Sequence, residues 1–388
     1  MIGQLVAVST ATEWAPVFYK RLEIARNKAL KKFKGNWDAQ ISITSTMRED
    51  IVWWANNIGS VYKSLQPREF TLEIFSDSSS RGWGGESHGL TASGIYAERE
   101  LTLHINCLEL LAAFLNLKTF VKTKGHHVKL YTDNVTTMAC INKQGSTKIA
   151  CNNLTREIFL WCQKTDTKIT AIHIAGKLNV IADFMSRRDK SQTEWMLNVD
   201  IFRKINALLG PFEIDLFASR INNQLVKYVS WKGDPNAWGT NALTLNWSEL
   251  NNLYAFPPFS LIQRALQKVD QEKADITMIV PLWRGQPWFS KLLKMLTADP
   301  IILPSKIDLL IHPQNQRRTH PLLPKTKLLV CSLSGKDWKV KEFMENQRKS
   351  SYPHGDTAQR NSTKRTIKSG FSFVIKNRQI TCVPLNKS

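Results

Sequence analysis

Residues 75–85 read FSDSSSRGWGG, so a single acid, Asp77, stands between an apolar run and a turn rich in serine and glycine. TLEIFSD (71–77) alternates as a β-strand, SRGWGGESHG (80–89) turns into a second strand, and TASGIYAERE (91–100) predicts a third. Asp and Ser are ordinary turn residues, so Asp77 either only ends a strand or also binds a ligand. The stretch predicts a β-meander at the start of a domain.

After the meander, the pattern alternates between helices and strands. HINCLELLAAFLNLKTFV (104–121) predicts a long helix, HHVKLYTDN (126–134) a fourth strand and KITAIHIAG (168–176) a fifth, with further helices between and after these strands. Together these elements predict an α/β domain over residues 71–190, in which helices flank a mixed five-stranded sheet.

The rest of the chain predicts three further regions. Residues 1–70 carry helical patterns, and FEIDLFASR (212–220) opens a second, smaller α/β pattern over residues 205–312. Residues 313–388 are rich in Pro, Lys, Ser and Asn, which predicts a basic and largely flexible tail.

The charge of the chain points to an anionic partner. Lys and Arg number 53 against 32 Asp and Glu, which gives a net charge of +21. Nucleic acid is the expected partner, and an anionic membrane surface comes second. No apolar run approaches the roughly 18 residues that span a bilayer, so no membrane segment is expected. Six cysteines without a CxxC pair indicate buried free thiols in a reducing, intracellular compartment, with nucleus and cytoplasm both left open.

Four acids of the first domain fall at or near the ends of predicted elements. Asp77 and Asp133 close the first and fourth strands, Glu109 lies in the first turn of the long helix, and Asp183 lies in the last helix. The ends of adjacent strands and a helix beside them can converge on one edge of a sheet. Clustered carboxylates repel unless they bind cations, and oxygen-only ligands suit Mg²⁺ or Mn²⁺. Two such ions could promote phosphodiester cleavage.

Each acid also has a purely structural interpretation. Asp77 and Asp133 could be strand-ending turn residues. Asn106-x-x-Glu109 has the spacing of a helix capping box. Asp183 could be a solvated helix acid beside Arg187. The order and context of the four acids together are more specific than any one of them.

With these acids in view, residues 71–188 resemble a type 1 ribonuclease H domain through FSDSSSRGWGG, HINCLELLAA, LYTDN and HIAGKLNVIADFMSR. The resemblance implies that Asp77, Glu109, Asp133 and Asp183 bind two Mg²⁺ or Mn²⁺ ions. It also implies hydrolysis of the RNA strand of RNA–DNA hybrids to 3′-hydroxyl and 5′-phosphate ends. Asn106 matches a minor-groove contact, where 2′-hydroxyls distinguish RNA from DNA, and Asn134 is a candidate backbone contact.

The chain departs from cellular members of that family at one position. They carry a mobile histidine in the loop before the last helix, and Lys177 stands there in this chain. His173, on the preceding strand, is expected to be a packed strand residue rather than a proton shuttle. Slower product release is expected, while the metal chemistry does not require that histidine.

The flanking regions extend the resemblance to a fragment of a DIRS-like retrotransposon polyprotein. Residues 1–70 are similar to the segment that joins polymerase to ribonuclease H, and the second domain is similar to the methyltransferase-like domain that follows. No Asp-Asp pair occurs, so polymerase activity is not expected. A separate polymerase or retroelement protein is therefore a further expected partner. The alternatives are a catalytically silent nucleic-acid-binding relic and a DNA adenine methyltransferase.

The methyltransferase alternative depends on the run Phe256-Pro257-Pro258-Phe259. Amino-methyltransferases that act on DNA adenine carry Asn or Asp before Pro-Pro and an aromatic ring after it, which orient the amine and stack on the flipped base. The ring, Phe259, is present, but Phe256 cannot accept a hydrogen bond. Asp215 could contact a cofactor or only end its strand. No glycine-rich loop is visible, so S-adenosylmethionine is not expected, and a base-stacking or structural module is favoured.

Overall fold

The computed structural model of the chain describes residues 1–66, 68–188, 195–323, 325–349, 372–375 and 378–385. It divides into two compact units, Met1–Asp189 and Lys190–Ser388, called here the first and second unit. All six cysteines are free and buried, as predicted. None of the helices in the described ranges has the length and apolar character needed to cross a membrane.

The first unit is built on a mixed five-stranded sheet with the order β3-β2-β1-β4-β5. The predicted fold class, an α/β sheet flanked by helices, is confirmed. The strands are β1 Leu72–Ser78, β2 Gly82–Ser87, β3 Leu90–Ile95, β4 His127–Thr132 and β5 Lys168–His173. The helices are α1 Ile2–Val8, α2 Lys20–Lys32, α3 Ser45–Asn57, α4 Ile105–Phe120, α5 Val135–Asn142, α6 Ile149–Thr165 and α7 Val180–Arg187.

The register of the sheet explains why two of the predicted acids meet. β1 is antiparallel to β2 and parallel to β4, and Phe75 lies opposite Tyr131 in the parallel pair. Asp77 and Asp133 each follow two residues later, so they reach the same edge of the sheet from neighbouring strands. Helix α4, predicted from residues 104–121, packs on this sheet and is buried along most of its length.

The N-terminal helices share the hydrophobic core of the first unit. Phe18 and Trp54 are buried in the same cluster as Ile74 of β1 and Leu110 of α4. The Trp54 indole N–H donates to the Phe18 carbonyl at 3.3 Å. The segment before β1 is therefore part of this fold and not an appendage to it.

A buried ion pair fastens α3 to α6. Arg156 Nη2 lies 2.8 Å from Asp50 Oδ1, and the Asp50 side chain is fully buried. Arg21 Nη1 lies 3.6 Å from the same oxygen. Arg156 also donates to the Val17 carbonyl at 3.2 Å, and its guanidinium lies over the Phe18 ring. One side chain thus connects α6 to two parts of the N-terminal segment.

The second unit contains a six-stranded sheet with the order β18-β12-β14-β11-β10-β7. The strands of the unit are β6 Met196–Leu197, β7 Ile214–Asp215, β8 Val229–Ser230, β9 Gly239–Thr240, β10 Leu253–Ala255, β11 Asp275–Pro281, β12 Ile301–Ile302, β13 Leu310–Ile311, β14 Leu328–Ser334, β15 Arg348–Lys349, β16 Ser372–Ile375, β17 Arg378–Thr381 and β18 Val383–Pro384. Its helices are α8 Val199–Leu209, α9 Ile262–Gln271, α10 Pro287–Leu293 and α11 Asp337–Glu345.

The predicted limits of the second domain require correction at both ends. Helix α8 begins before residue 205, and β14, which lies beyond residue 312, pairs antiparallel with both β11 and β12 in the interior of the sheet. The start of the predicted flexible tail therefore contributes a buried strand. The physical reason is that LLVCSLS (328–334) is apolar enough to be buried between two strands. Residues 324, 350–371, 376–377 and 386–388 of the predicted tail lie outside the described residues.

In the second unit, the order of the strands reverses at β7, at one edge of the six-stranded sheet. Asp215, the last residue of β7, pairs in parallel with Tyr254 of β10, and it forms a parallel bridge to Tyr228, just before β8. The chain therefore leaves β7 toward β8 on one side and returns to β10 on the other. Ligands of open α/β sheets bind at such a reversal of strand order, outside the carboxyl ends of the strands.

Candidate functional site

Three of the four predicted acids meet at the sheet edge of the first unit. Asp77, Glu109 and Asp133 each offer a carboxylate oxygen, and these oxygens lie within 4.8 Å of one another. Asp77 and Glu109 are buried, and Asp133 is half-buried. The residues come from β1, α4 and the end of β4, so the cluster depends on the fold and not on local sequence.

Asp77 is oriented by a side chain from the last helix. Ser186 Oγ of α7 donates to Asp77 Oδ2 at 2.6 Å. Burial raises the pKa of Asp77 to about 6, the bond from Ser186 acts in the opposite direction, and the charge of Asp133 adds to the rise. Sequence reasoning did not single out Ser186, although it stands in the quoted run ADFMSR.

Glu109 has a pKa that is raised further than that of Asp77. Its side chain is 7% exposed, and its Oε2 has no hydrogen-bond partner. Burial, together with the nearby charges of Asp77 and Asp133, raises the pKa of Glu109 to about 9. A buried carboxylate oxygen without a hydrogen-bond donor is costly, because no protein group compensates its lost hydration.

Asp133 follows β4 directly and lies against the loop before α7. A side-chain carbon at Gly176 would approach Asp133 Oδ2 to 2.9 Å. Glycine at this position therefore leaves room for the carboxylate. Gly176 is a second residue of the site that the sequence did not reveal, because only the fold brings it next to Asp133.

Asp183 is close to the cluster but is not one of the three converging acids. Its charge raises the pKa of Asp77, while its own Oδ1 accepts from Arg187 Nε at 2.7 Å. The side chain is 41% exposed. Asp183 thus lies beside Arg187 at the rim of the cluster, as its structural interpretation describes, and forms an ion pair with it.

Helix α7 comes close to the cluster because β2 offers it a flat surface. A side-chain carbon at Gly84 would lie 2.3 Å from the Ser186 nitrogen and 2.5 Å from the Ala182 carbonyl oxygen. Only glycine allows the helix backbone to approach β2 this closely. The second half of FSDSSSRGWGG therefore positions the helix that carries Ser186 and Asp183.

The two predicted nucleic-acid contacts lie next to each other at two helix N-termini. Asn134 Nδ2 donates to Asn106 Oδ1 at 3.1 Å, and Asn134 Oδ1 caps α5 by accepting from the Thr137 N–H. The capping-box interpretation of Asn106 and Glu109 is wrong. Helix α4 starts at Ile105, and His104 is its N-cap, accepting from the Asn106 N–H. Asn106 is therefore free of that role.

His173 was expected to be packed in its strand, and that expectation is wrong. It is the last residue of β5 and is exposed, because β5 ends at the edge of the sheet. Lys177 is exposed in the loop that follows.

The residues present fit divalent cations. The cluster offers only carboxylate oxygens, which are the ligands that Mg²⁺ and Mn²⁺ prefer. The unpartnered Oε2 of Glu109 is a position that a cation would compensate. Asp77, Glu109 and Asp133 would hold such ions, with Asp183 at the rim.

A second candidate site lies at the strand reversal of the second unit. Asp215 is 2% exposed and accepts from the Gln224 N–H through Oδ2, whereas its Oδ1 has no partner. Burial raises the pKa of Asp215 to about 7. The hydroxyl of Tyr254, opposite Asp215 in the register, is also buried without a partner. Two orphaned polar groups at this edge favour a polar ligand or water between them.

The Phe256–Phe259 run follows β10 at the same carboxyl edge. The Phe259 ring makes an edge contact with Trp283, at a centroid distance of 5.1 Å, and another with Phe256, at 6.3 Å. Both phenylalanines are only partly buried. The aromatic ring of the run is thus present at the edge that carries Asp215, and Phe256 supplies no acceptor.

One family model matches the chain. The model described as DNA N-6-adenine-methyltransferase (Dam) matches residues 185–332, which is less than half of the chain. The matched range extends past residue 312 into β14, in keeping with the corrected limit of the second domain. No curated protein matches the sequence.

Solved structures give weak similarities. Prototype foamy virus protease–reverse transcriptase is 14% identical over 47% of this chain and 28% of that chain, with a TM-score of 0.21. The foamy viral protease–reverse transcriptase dRH in complex with double-stranded DNA is 12% identical over 42% and 32%, with a TM-score of 0.19. The chain spans about a third or less of these two proteins, and similarity at this level carries no functional argument.

Proposed function

We propose that the first unit is a metal-dependent ribonuclease H of retroelement origin that hydrolyses the RNA strand of RNA–DNA hybrids. The observation that carries the proposal is the convergence of Asp77, Glu109 and Asp133, with an unpartnered, buried carboxylate oxygen on Glu109. The ribonuclease H motifs around these acids support the same function. A DIRS-like origin rests on the sequence resemblance alone.

The side chains around the cluster have distinct roles in this proposal. When bound, Mg²⁺ or Mn²⁺ would supply stabilisation of the charge that develops during phosphodiester hydrolysis. Ser186 holds Asp77 in one orientation, so that this carboxylate is preorganised before substrate arrives. Gly176 leaves the space that Asp133 occupies.

Recognition of the hybrid is assigned to the two asparagines. Asn106 and Asn134 are joined by a hydrogen bond and lie at the N-termini of α4 and α5, next to two of the acids. Asn106 offers its amide to a 2′-hydroxyl or a base edge in the minor groove. Asn134 fixes the orientation of that amide by donating a hydrogen bond to Asn106 Oδ1. The excess of basic residues supplies a sequence-independent attraction for the duplex.

A cleavage assay tests the proposal. The full chain is incubated with a hybrid labelled on the RNA strand, in Mg²⁺ or Mn²⁺, and the products are resolved by length. We expect cleavage by the wild type and a loss of at least about 100-fold in Asp133→Asn, since even outer partners of metal ligands cost up to this much. Asp38→Asn removes an exposed acid elsewhere in the unit and serves as the matched control.

Two results would refute the nuclease. One is a hybrid that is bound but stays intact with either ion. The other is full activity in Asp133→Asn, which would identify a contaminating nuclease. A protein that binds the hybrid without cutting it would instead be the catalytically silent relic.

A methyltransferase is the second candidate function, located in the second unit. The family match over residues 185–332 and the orphaned Oδ1 of Asp215 at a strand reversal favour it. A buried acid at this edge fits the hydroxyl or amino groups of a nucleoside-containing cofactor such as S-adenosylmethionine. Phe256 does not fit the orientation of an adenine amino group. Transfer of labelled methyl groups from S-adenosylmethionine to DNA tests this candidate, and no transfer would leave a binding module.

A further inference from the structure

A cavity of about 380 Å³ lies in the first unit, between the N-terminal segment and the residues that follow α5. The N-terminal segment contributes Trp14, Tyr19, Lys20 and Lys63 to the lining of the cavity, and the residues after α5 contribute Lys143 and Gln144. None of the four predicted acids lines it. Its volume is at the lower end of the range for small-molecule sites and suits one nucleotide-sized molecule rather than a duplex.

The charged groups of the lining favour an anion. Lys20, Lys63 and Lys143 are all cationic, and Lys63 and Lys143 are exposed. Glu13 is the acid among the lining residues, and its carboxylate is 3.2 Å from Lys168 Nζ. Lys20 Nζ forms an ion pair with Glu23 Oε2 at 2.7 Å. An anion therefore has better access to the other two lysines, Lys63 and Lys143.

The remaining walls suit a planar, hydrogen-bonding body attached to that anion. Trp14 and Tyr19 provide aromatic surface, on which bases stack with little dependence on sequence. Gln144 Oε1 is buried and has no hydrogen-bond partner, so it is an acceptor without a donor. An N–H of a base or a hydroxyl of a sugar would satisfy it.

Two residues of the lining also have an unusual backbone conformation. Trp14 has φ 63° and Gln144 has φ 49°, one on each side of the cavity. The left-handed region is costly for residues with a side chain, and for a ring as bulky as tryptophan it is rare. Such conformations concentrate at ligand sites, where the surrounding structure fixes them. This observation is independent of the charge of the cavity.

From these observations we infer that the cavity binds a nucleoside phosphate. The phosphate lies between Lys63 and Lys143, the base lies against Trp14 and Tyr19, and Gln144 Oε1 accepts a hydrogen bond from the base or the sugar. A free nucleotide and one nucleotide of a nucleic-acid strand share this chemistry. The inference does not depend on the nuclease activity proposed above.

The position of the cavity is compatible with a strand that also reaches the acid cluster. Helix α5 starts directly after Asp133 and Asn134 and ends at Asn142, beside the cavity. Its eight residues span about 12 Å, at about 1.5 Å per residue. Since successive nucleotides of a strand advance by about 3.4 Å, this corresponds to three or four nucleotides.

Calorimetric titration of the full chain, without divalent cations, tests the inference. The probes are a nucleoside monophosphate, the same nucleoside, inorganic phosphate and a short single-stranded oligonucleotide. We expect the monophosphate to bind at least tenfold more tightly than the nucleoside or inorganic phosphate alone. If only the oligonucleotide binds, and does so through the two lysines, the nucleotide comes from a strand.

Variants identify the site. Lys63→Ala/Lys143→Ala should weaken binding of the monophosphate or the oligonucleotide at least tenfold, and Lys63→Arg/Lys143→Arg should retain most of it. Lys124→Ala, which removes an exposed lysine of the same unit away from the cavity, should bind as the wild type does. Equal affinity of the double alanine variant and Lys124→Ala for both ligands would overturn the inference, as would measurable binding of nucleoside and monophosphate with the same affinity.

Discussion

Removal of the guanidinium of Arg156 should destabilise the first unit strongly. In Arg156→Ala, Asp50 loses the partner at 2.8 Å and remains fully buried, with Arg21 at 3.6 Å as its remaining cation. Loss of one partner of a buried ion pair costs about 3–5 kcal/mol, and the retained Arg21 places the expected loss near the lower end, about 3 kcal/mol. For a domain of this size that is a fall in Tm of about 6–12 °C.

The pH dependence of the loss follows from Asp50. Burial raises the pKa of Asp50 from 3.8 to about 6, although Arg156 and Arg21 both act to lower it. Because the folded-state pKa lies above the unfolded one, the fold gains stability as pH falls from above 6 toward 4. Without Arg156 the folded-state pKa should rise further. The deficit of the variant should therefore be larger at pH 8 than at pH 5.

The assay is thermal unfolding of the full chain at both pH values, with hydrogen exchange of the α3 amides to assign the transition to the first unit. Arg48→Ala removes an exposed arginine from α3 and should change the stability by less than about 0.5 kcal/mol. If Arg156→Ala unfolds at the same temperature as Arg48→Ala, or if its deficit does not change with pH, the account of this ion pair is wrong.

Three further changes test the two candidate sites. Gly84→Ala should displace α7 and reduce cleavage of the hybrid at least about tenfold, whereas Gly59→Ala, with open space around it, should not; equal activities would contradict the close approach. Mg²⁺ or Mn²⁺ at about 100 times its Kd should add about 2.7 kcal/mol of stability, or about 5–11 °C in Tm, to the wild type and not to Asp133→Asn. An unchanged Tm in the wild type would mean that the cluster binds no ion. Phe256→Asn should raise methyl transfer from labelled S-adenosylmethionine to adenine-containing DNA above the wild-type level, because it restores the missing acceptor; absence of transfer in both would count against cofactor binding beside Asp215.

The sheet of the first unit and the two acids at its edge could be predicted because short-range patterns encode them. Alternation of apolar residues marks β1 and β4, and because these strands are parallel, their carboxyl ends lie at the same edge of the sheet. Strand patterns placed Asp77 and Asp133 at strand ends, and the order of the four acids, with the ribonuclease H resemblance, then predicted them as metal ligands. The helical pattern of residues 104–121 likewise predicted α4, which carries Glu109 in its first turns.

Contacts between distant parts of the chain could not be predicted. Ser186 reaches Asp77, and Gly176 makes room for Asp133, only after the sheet and α7 have come together. The limits of α4 were predicted to within a residue, whereas the alternative capping box at Asn106 is wrong, because Asn is a better N-cap by residue type than His104, which caps the helix. A shift of two residues in the N-cap, from Asn106 to His104, leaves the Asn106 amide available to a ligand.

In the second unit, the apolar pattern of β14 was concealed by the average composition of residues 313–388. LLVCSLS (328–334) is a run of apolar and small residues, long enough for a buried strand. The lysine- and serine-rich residues around it dominated the average over the tail. A window as short as one strand would have found it.

The N-terminal segment limits where the first unit can be truncated, because it supplies Asp50 to the ion pair with Arg156 and buries Phe18 and Trp54 in the core. A truncated protein that starts at β1 would leave an arginine of α6 without its acid and would uncover apolar surface on α4 and α6. Its failure to cleave a hybrid would then report loss of folding and not a defective acid cluster. A fragment used to test activity should therefore begin before Ala15, so that it retains the N-terminal residues that complete the core of the first unit.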